Sequence, residues 1–173
     1  SAAFARLETR LVQLRNRLLP RNIDPTRQYS ETQIDKTRAY TVLAHAEIEE
    51  FIEGACQRVS IRVLQEWTSA KRVGRSTVAL AAFTEIGTPL PDKVPHLGKP
   101  SLTQYLEDAK GRLTHYLNVE NHGVGEANLI RMFLPVGLME VDFPVGWVDL
   151  MNELSTRRGI VAHTSAVGKV IQK

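Results

Sequence analysis

An apolar stripe with helical spacing runs from residue 40 to residue 67 and constrains the fold more than any other feature of the sequence. Apolar side chains recur there every three or four positions, which places them on one face of a helix. The stripe consists of Tyr40, Ala44, Ile48, Phe51, Ile52, Ala55, Val59, Val63 and Trp67. No run alternates between polar and apolar residues as a half-buried strand does. We therefore predict an all-α chain with a long helix from about Glu31 to Ala70.

Shorter helical patterns flank this long helix. A leucine stripe predicts a first helix that Pro20 ends, and Pro144 opens a last helical segment with the stripe Trp147, Leu150, Met151 and Leu154 packed in the core. Prolines and glycines indicate an irregular stretch over residues 87 to 100. The fold expected is an up-and-down helical bundle with extra short helices. These are expected at Thr77 to Ile86, from a Ser101 cap to about Val119, and from Glu126 to Leu138, where Pro135 kinks the helix or ends it early.

Composition narrows the class of protein. The 173 residues are 43% hydrophobic and 24% charged, which suits a single domain over 1–173 with one core. No segment approaches the ~18 apolar residues of a membrane span, so we expect no membrane association. The single cysteine, Cys56, fits a small core residue in a reducing compartment, and the cytoplasm is the expected location. A net charge of +3 permits a polyanionic partner without requiring one.

The most informative motif lies in the last segment, where residues 153–165 read ELSTRRGIVAHTS. Arg158 and His163 are separated by four residues, and this pair resembles the signature of the HEPN superfamily of small helical domains. The long early helix with AHAEIEEF at 44–51 also resembles that superfamily in shape. Residues 131–165, with LPVG at 134–137 upstream of the motif, look most like its RiboL-PSP branch.

The resemblance implies a helical bundle that dimerises about its motif helices and cuts RNA without a metal, in a toxin or antiphage defence system. Arg158 and His163 would then be catalytic. The implied partners are RNA, a second copy of the chain, and a protein antitoxin or another defence component. No cofactor is expected. The alternative is a non-catalytic HEPN-type module for dimerisation or partner binding, and a DNA-binding unit at residues 75–87 is a third hypothesis.

The motif pair also suits RNA cleavage on chemical grounds. A histidine exchanges protons near neutral pH, so it can take a proton from a ribose 2′-hydroxyl or give one to the leaving 5′-oxygen. An arginine can stabilise the negative charge of the phosphorane. Five residues along a helix turn a side chain through about 500°, or roughly 140° net, so Arg158 and His163 of one chain do not share a face. Two chains related by a two-fold axis would combine them in one cleft.

Further residues are candidates for supporting roles. Arg157 offers an alternative motif spacing, a flanking phosphate contact or a solvated charge. His45 and Glu49 are one helical turn apart and could both line the cleft. A residue of this helix could then orient His163 or hold an RNA ribose. The alternative is that His45 and Glu49 form a surface pair within an acidic run. Two basic clusters predict RNA-backbone contacts or solvated helix faces: Arg6, Arg10 and Arg17, and Lys71, Arg72 and Arg75. We find no set of residues that would bind a metal in a helical bundle.

Overall fold

The computed structural model describes residues 1–24, 26–82 and 101–163, with the side chain of His163 outside the description. All regular structure in these residues is helical, so the prediction of an all-α chain is confirmed. The α-helices are α1 (Ala2–Leu18), α2 (Glu31–Ala70), α3 (Arg75–Ala82), α4 (Leu102–His115), α5 (Glu126–Phe133) and α6 (Trp147–His163). Across the described ranges, no helix combines the length and the apolar character needed to cross a membrane.

Local signals in the sequence set several helix ends where we predicted them. The Ser1 hydroxyl accepts a hydrogen bond from the amide of Phe4 at the start of α1, which ends before Pro20. Helix α2 has the predicted bounds. Ser101 caps α4 by accepting a hydrogen bond from the amide of Gln104 at 3.4 Å. These side chains satisfy amide groups that have no partner inside the first turn of a helix.

Other helix ends differ from the predictions. Helix α3 covers Arg75–Ala82 and begins earlier than expected, because the Thr77 hydroxyl accepts the amide of Gly74 and so organises the first turn. The remainder of the expected helix and the irregular stretch at 87–100 lie outside the described residues. The helix after Ser101 is α-helical only to His115 and widens to a π-helical turn over Tyr116–Glu120, where the Asn121 amide donates to the Tyr116 carbonyl at 2.8 Å.

Helix α5 ends early at Pro135, as predicted, and proline chemistry explains this end. The α-helix stops at Phe133 and continues as a 3₁₀ turn over Leu134–Val136. Pro135 has no N–H for the helical ladder, and its ring restricts the preceding residue. Gly137 then adopts the left-handed conformation with φ of 82°. A side chain at Gly137 would also lie 3.3 Å from the Arg75 backbone, so this turn requires glycine.

The described chain divides into two compact units. Unit 1 contains Ser1–Phe51, Gly123–Glu126 and the described residues from Gly146 onward, and unit 2 contains Ile52–His122 and Ala127–Val145. Helix α2 contributes its first half to unit 1 and its second half to unit 2.

The core of unit 2 is aliphatic. Leu80 of α3, Leu106 and Leu113 of α4 and Met132 of α5 are completely inaccessible to solvent. Cys56 is buried and unpaired, and burial raises the pKa of its thiol to about 12. It is therefore the small core residue that the sequence predicted.

Unit 1 combines a buried face with surface pairs. Leu14 and Ala44 are buried, and the rings of Phe4 and Phe51 meet edge to face with centroids 6.0 Å apart. The predicted apolar stripe of α6 is wrong for Leu150, whose side chain is 60% exposed. Consecutive residues differ by about 100° around a helix, so half-buried Met151 and Leu150 face different directions.

A pair of leucines in α4 tests the account of the unit 2 core. Leu106→Ala should lower the free energy of unfolding by about 2 to 5 kcal/mol, because Leu106 is fully buried and its loss leaves a cavity. Leu102→Ala, one turn earlier and 41% exposed, should cost less than about 1 kcal/mol. Urea unfolding followed by circular dichroism measures both values, and equal losses would contradict the assigned core.

Candidate functional site

Helix α6 carries both motif residues. Arg158 is half-buried and therefore keeps part of its surface available, and His163 is the last described residue of the helix. The backbone places the two positions about 140° apart around α6. The side chain of His163 lies outside the described part of the chain, so the structure fixes the position of the motif histidine along the helix only.

The second feature of the site is a buried histidine in α2. The side chain of His45 is 1% exposed, and its Nδ1 lies 3.5 Å from Oε2 of Glu49, which is half-buried one turn later. Its Nε2 is buried and has no hydrogen-bond partner among the described residues. The alternative that His45 and Glu49 form a surface pair is therefore wrong for His45.

The electrostatics of His45 connect it to the motif arginine. Burial lowers the pKa of His45, and the positive charge of Arg158 lowers it further. The imidazole is therefore neutral at pH 7, and its one N–H is best placed on Nδ1, where it faces the Glu49 carboxylate. Nε2 is then a buried acceptor. Unit 1 thus brings Arg158 of α6 into the electrostatic range of His45 of α2, which in turn lies beside Glu49.

The N-terminal half of α6 is held by Glu126, the first residue of α5. The Glu126 amide donates a hydrogen bond to Oδ1 of Asn152 at 2.7 Å, and Nδ2 of Asn152 donates to the Glu126 carboxylate at 3.4 Å. A side chain at Gly125 would touch Ser155 at 3.5 Å, which is ordinary contact. The sequence analysis missed Asn152, because an asparagine inside a helix gives no signal of its partner until the fold is known.

Arg157 differs from its neighbour in the motif. Its side chain is exposed and donates two hydrogen bonds to Oε1 of Glu153, from Nε at 3.0 Å and from Nη2 at 2.5 Å. Such a pair one turn apart on a helix surface contributes about 0.3 to 0.5 kcal/mol. Arg157 can therefore exchange this partner for another anion.

The predicted basic cluster of α1 contains two exposed arginines and one arginine that is paired with a carboxylate. Arg6 and Arg17 are exposed. Arg10 donates a hydrogen bond to Glu47 at 2.7 Å and is half-buried, so the carboxylate offsets much of its charge. Arg6 and Arg17 are the members best suited to attract a phosphate backbone.

The basic cluster of unit 2 is divided in the same way. Arg75 makes a two-pronged contact with Asp142 at 2.9 and 2.6 Å, and this arginine holds the pKa of the Asp142 carboxyl below its usual range. Lys71 lies over the Trp67 ring at 5.0 Å, and Arg72 is exposed. Arg75 therefore stabilises the turn before α6, whereas Lys71 and Arg72 remain accessible.

Within the described ranges, histidine, cysteine and acidic side chains do not gather in a group of three that could hold a metal ion. Comparison with protein-family models, with curated proteins and with solved structures finds no match to this chain. The resemblance to the HEPN superfamily therefore stays a prediction from the sequence.

The lowered pKa of His45 predicts a pH dependence of stability. The unfolded chain binds a proton at the ordinary histidine pKa of 6.5, whereas folded His45 binds it only at lower pH. Stability is therefore complete above pH 6.5 and falls below it, by at most about 1.4 kcal/mol per pH unit. His45→Asn, which places an amide nitrogen near Nδ1, should flatten this slope in urea unfolding measured between about pH 7 and pH 5. His122→Asn controls for the loss of an exposed imidazole, and an unchanged slope in His45→Asn would contradict the assignment.

Proposed function

We propose that this chain is a metal-independent endoribonuclease that cleaves RNA by attack of the ribose 2′-hydroxyl, at a composite site formed by two copies of the chain. A toxin or antiphage defence system is the setting that we infer. The observation that carries the proposal is the Arg158 and His163 pair on the last described helix of an all-α chain, with the charge of Arg158 acting on buried His45.

Arg158 is suited to hold the scissile phosphate. A guanidinium keeps its charge at any physiological pH and presents a planar fork of donors to phosphate oxygens. Arg158 is half-buried, so its side chain is partly removed from water and part of it stays accessible. The developing negative charge of the phosphorane would be stabilised more strongly in such partly desolvated surroundings than in open water.

His163 supplies the proton transfers in this proposal. An imidazole with an ordinary pKa is present in both protonation states near pH 7. His163 removes the proton of the 2′-hydroxyl or protonates the leaving 5′-oxygen, with water making the other transfer, which produces a 2′,3′-cyclic phosphate and a 5′-hydroxyl. Arg158 and His163 of one chain lie about 140° apart around the helix. We therefore assign the arginine and the histidine of one cleft to two copies of the chain.

His45 and Glu49 act on the arginine in this proposal. Neutral, buried His45 is poorly placed to exchange protons with RNA or to hold a ribose at the surface. Its uncharged state instead avoids repulsion with Arg158, and the Glu49 carboxylate favours one orientation of the ring. We therefore assign His45 and Glu49 as positioning residues. Arg6, Arg17, Lys71 and Arg72 would add salt-dependent attraction for the RNA backbone.

A non-catalytic binding module remains the second candidate, because α6 exposes apolar surface. Leu150 and Ile160 are more than half exposed, and exposed large apolar side chains are common at protein interfaces. A pure binding module would bind partners or RNA without cutting the RNA. Cleavage products therefore separate the two candidates.

Cleavage of single-stranded RNA in EDTA tests the proposal. Wild-type protein should cut, and His163→Ala should lower the rate by roughly 10² to 10⁴ because a proton-transfer group is lost. Arg158→Lys should also be slow, since lysine retains the charge and loses the planar fork. RNA binding by His163→Ala, measured by fluorescence anisotropy, should be nearly unchanged.

Matched controls make the result decisive. His122→Ala removes an exposed histidine outside the motif and should leave the rate unchanged, and circular dichroism checks the helical content of each variant. A 2′-deoxyribose at the cut site should block cleavage. Cleavage that survives His163→Ala would overturn the catalytic assignment of His163. Products with 3′-hydroxyl ends would overturn the 2′-hydroxyl mechanism and point to hydrolysis, of the kind that a metal ion assists.

A further inference from the structure

Unit 1 contains a half-open groove of about 600 Å³ that the motif residues do not explain. Its walls come from the connection after α1, the first turns of α2 and the last turns of α6. Clefts of about 300 to 1,000 Å³ are typical of sites for small molecules. The lining residues on which the argument depends are Ile23, Ile34, Ile160, Val161, Arg38 and Arg157.

The surface of the groove is mainly apolar. Ile23, Ile34 and Ile160 are 69%, 43% and 56% exposed, although isoleucine is among the residues most often buried in proteins. Three such side chains around one groove form a contiguous apolar surface in water, which is a feature of binding sites. The ligand of this groove should therefore have an apolar body.

The charges in the groove have one sign. Arg38 and Arg157 line it, and no carboxylate does so among the described residues. Arg38 is 3.5 Å from Asp35, and Arg157 is paired with Glu153, each within its own helix. These acids are more than half exposed, and surface pairs of this kind are weak. An anion partly desolvated in the groove would compete with them successfully.

The hydroxyl groups of the groove argue against a nucleobase. Thr37 donates to the Gln33 carbonyl at 2.9 Å, Thr41 donates to the Thr37 carbonyl at 3.2 Å, and Tyr29 donates to the Asp24 carbonyl at 3.0 Å. Their protons are already committed, so the polar edge of a base would find few donors besides the arginines. An isologous contact with a second copy would bring arginines against arginines, which is unfavourable.

We propose that this groove binds an amphipathic anion, a small molecule with an apolar tail and one carboxylate or phosphate head. The tail covers Ile23, Ile34 and Ile160, and the head accepts hydrogen bonds from Arg38 and Arg157. This assignment does not depend on ribonuclease activity.

Calorimetric titration of the purified chain with decanoate, below the concentration at which decanoate forms micelles, tests the site. Decanoate should bind with a stoichiometry of one per chain, and decyltrimethylammonium, with the same tail and the opposite charge, should bind at least tenfold more weakly. Arg38→Gln and Arg157→Gln should each weaken decanoate binding roughly tenfold, because each removes a charge-assisted hydrogen bond. Decyl phosphate compares the two head groups.

Arg62→Gln is the matched control. Arg62 makes a comparable pair with Glu66 one turn along α2 and does not line the groove, so this variant should bind decanoate like the wild type. Equal binding of the cationic ligand, or equal weakening in Arg62→Gln, would overturn the proposal. If adenosine monophosphate binds, Arg157→Gln weakens that binding, and decanoate does not bind, the groove is a nucleotide site and the proposal is overturned. A dimer that excludes decanoate and is abolished by Ile160→Asp would assign it to a second copy.

Discussion

The buried imidazole of His45 is the constraint on which the account of this protein depends. A polar group inside a protein costs free energy unless its surroundings compensate it. His45 has Glu49 beside Nδ1 and, among the residues that the structure describes, no partner at Nε2. The charge of Arg158 further disfavours protonation of the ring. This arrangement links the first half of α2 to the motif segment of α6.

Two neighbouring arginines of α6 illustrate how local environment separates similar side chains. Arg158 is half-buried and acts on His45, whereas Arg157 is exposed, pairs with Glu153 and lines the apolar groove. Adjacent helical residues point about 100° apart, so Arg157 and Arg158 lie on different faces of α6 within unit 1. The catalytic proposal concerns the face that carries Arg158, and the anion-binding proposal concerns the face that carries Arg157.

Much of the fold follows from the sequence, because apolar periodicity and proline positions are local signals. They predicted the bounds of α2, the end of α1 before Pro20 and the early end of α5 at Pro135. The burial of His45 was not predictable, since it stands next to an acidic run typical of a solvated face. The exposure of Leu150 and the contact between Asn152 and Glu126 depend on how distant segments pack. The Arg158 and His163 spacing was visible in the sequence, but its link to α2 required the three-dimensional structure.

The central claim is that one cleavage site takes its arginine and its histidine from two chains, and subunit complementation tests it most directly. Arg158→Ala and His163→Ala proteins, each nearly inactive alone, are co-expressed and their mixed dimer is isolated through different affinity tags. Light scattering should give about twice the 19.4 kDa chain mass. The mixed dimer should recover part of the wild-type RNA cleavage, because one chain retains Arg158 and its partner retains His163. A mixed dimer of the correct mass that remains as inactive as either variant, beside an active wild-type dimer, would contradict the claim.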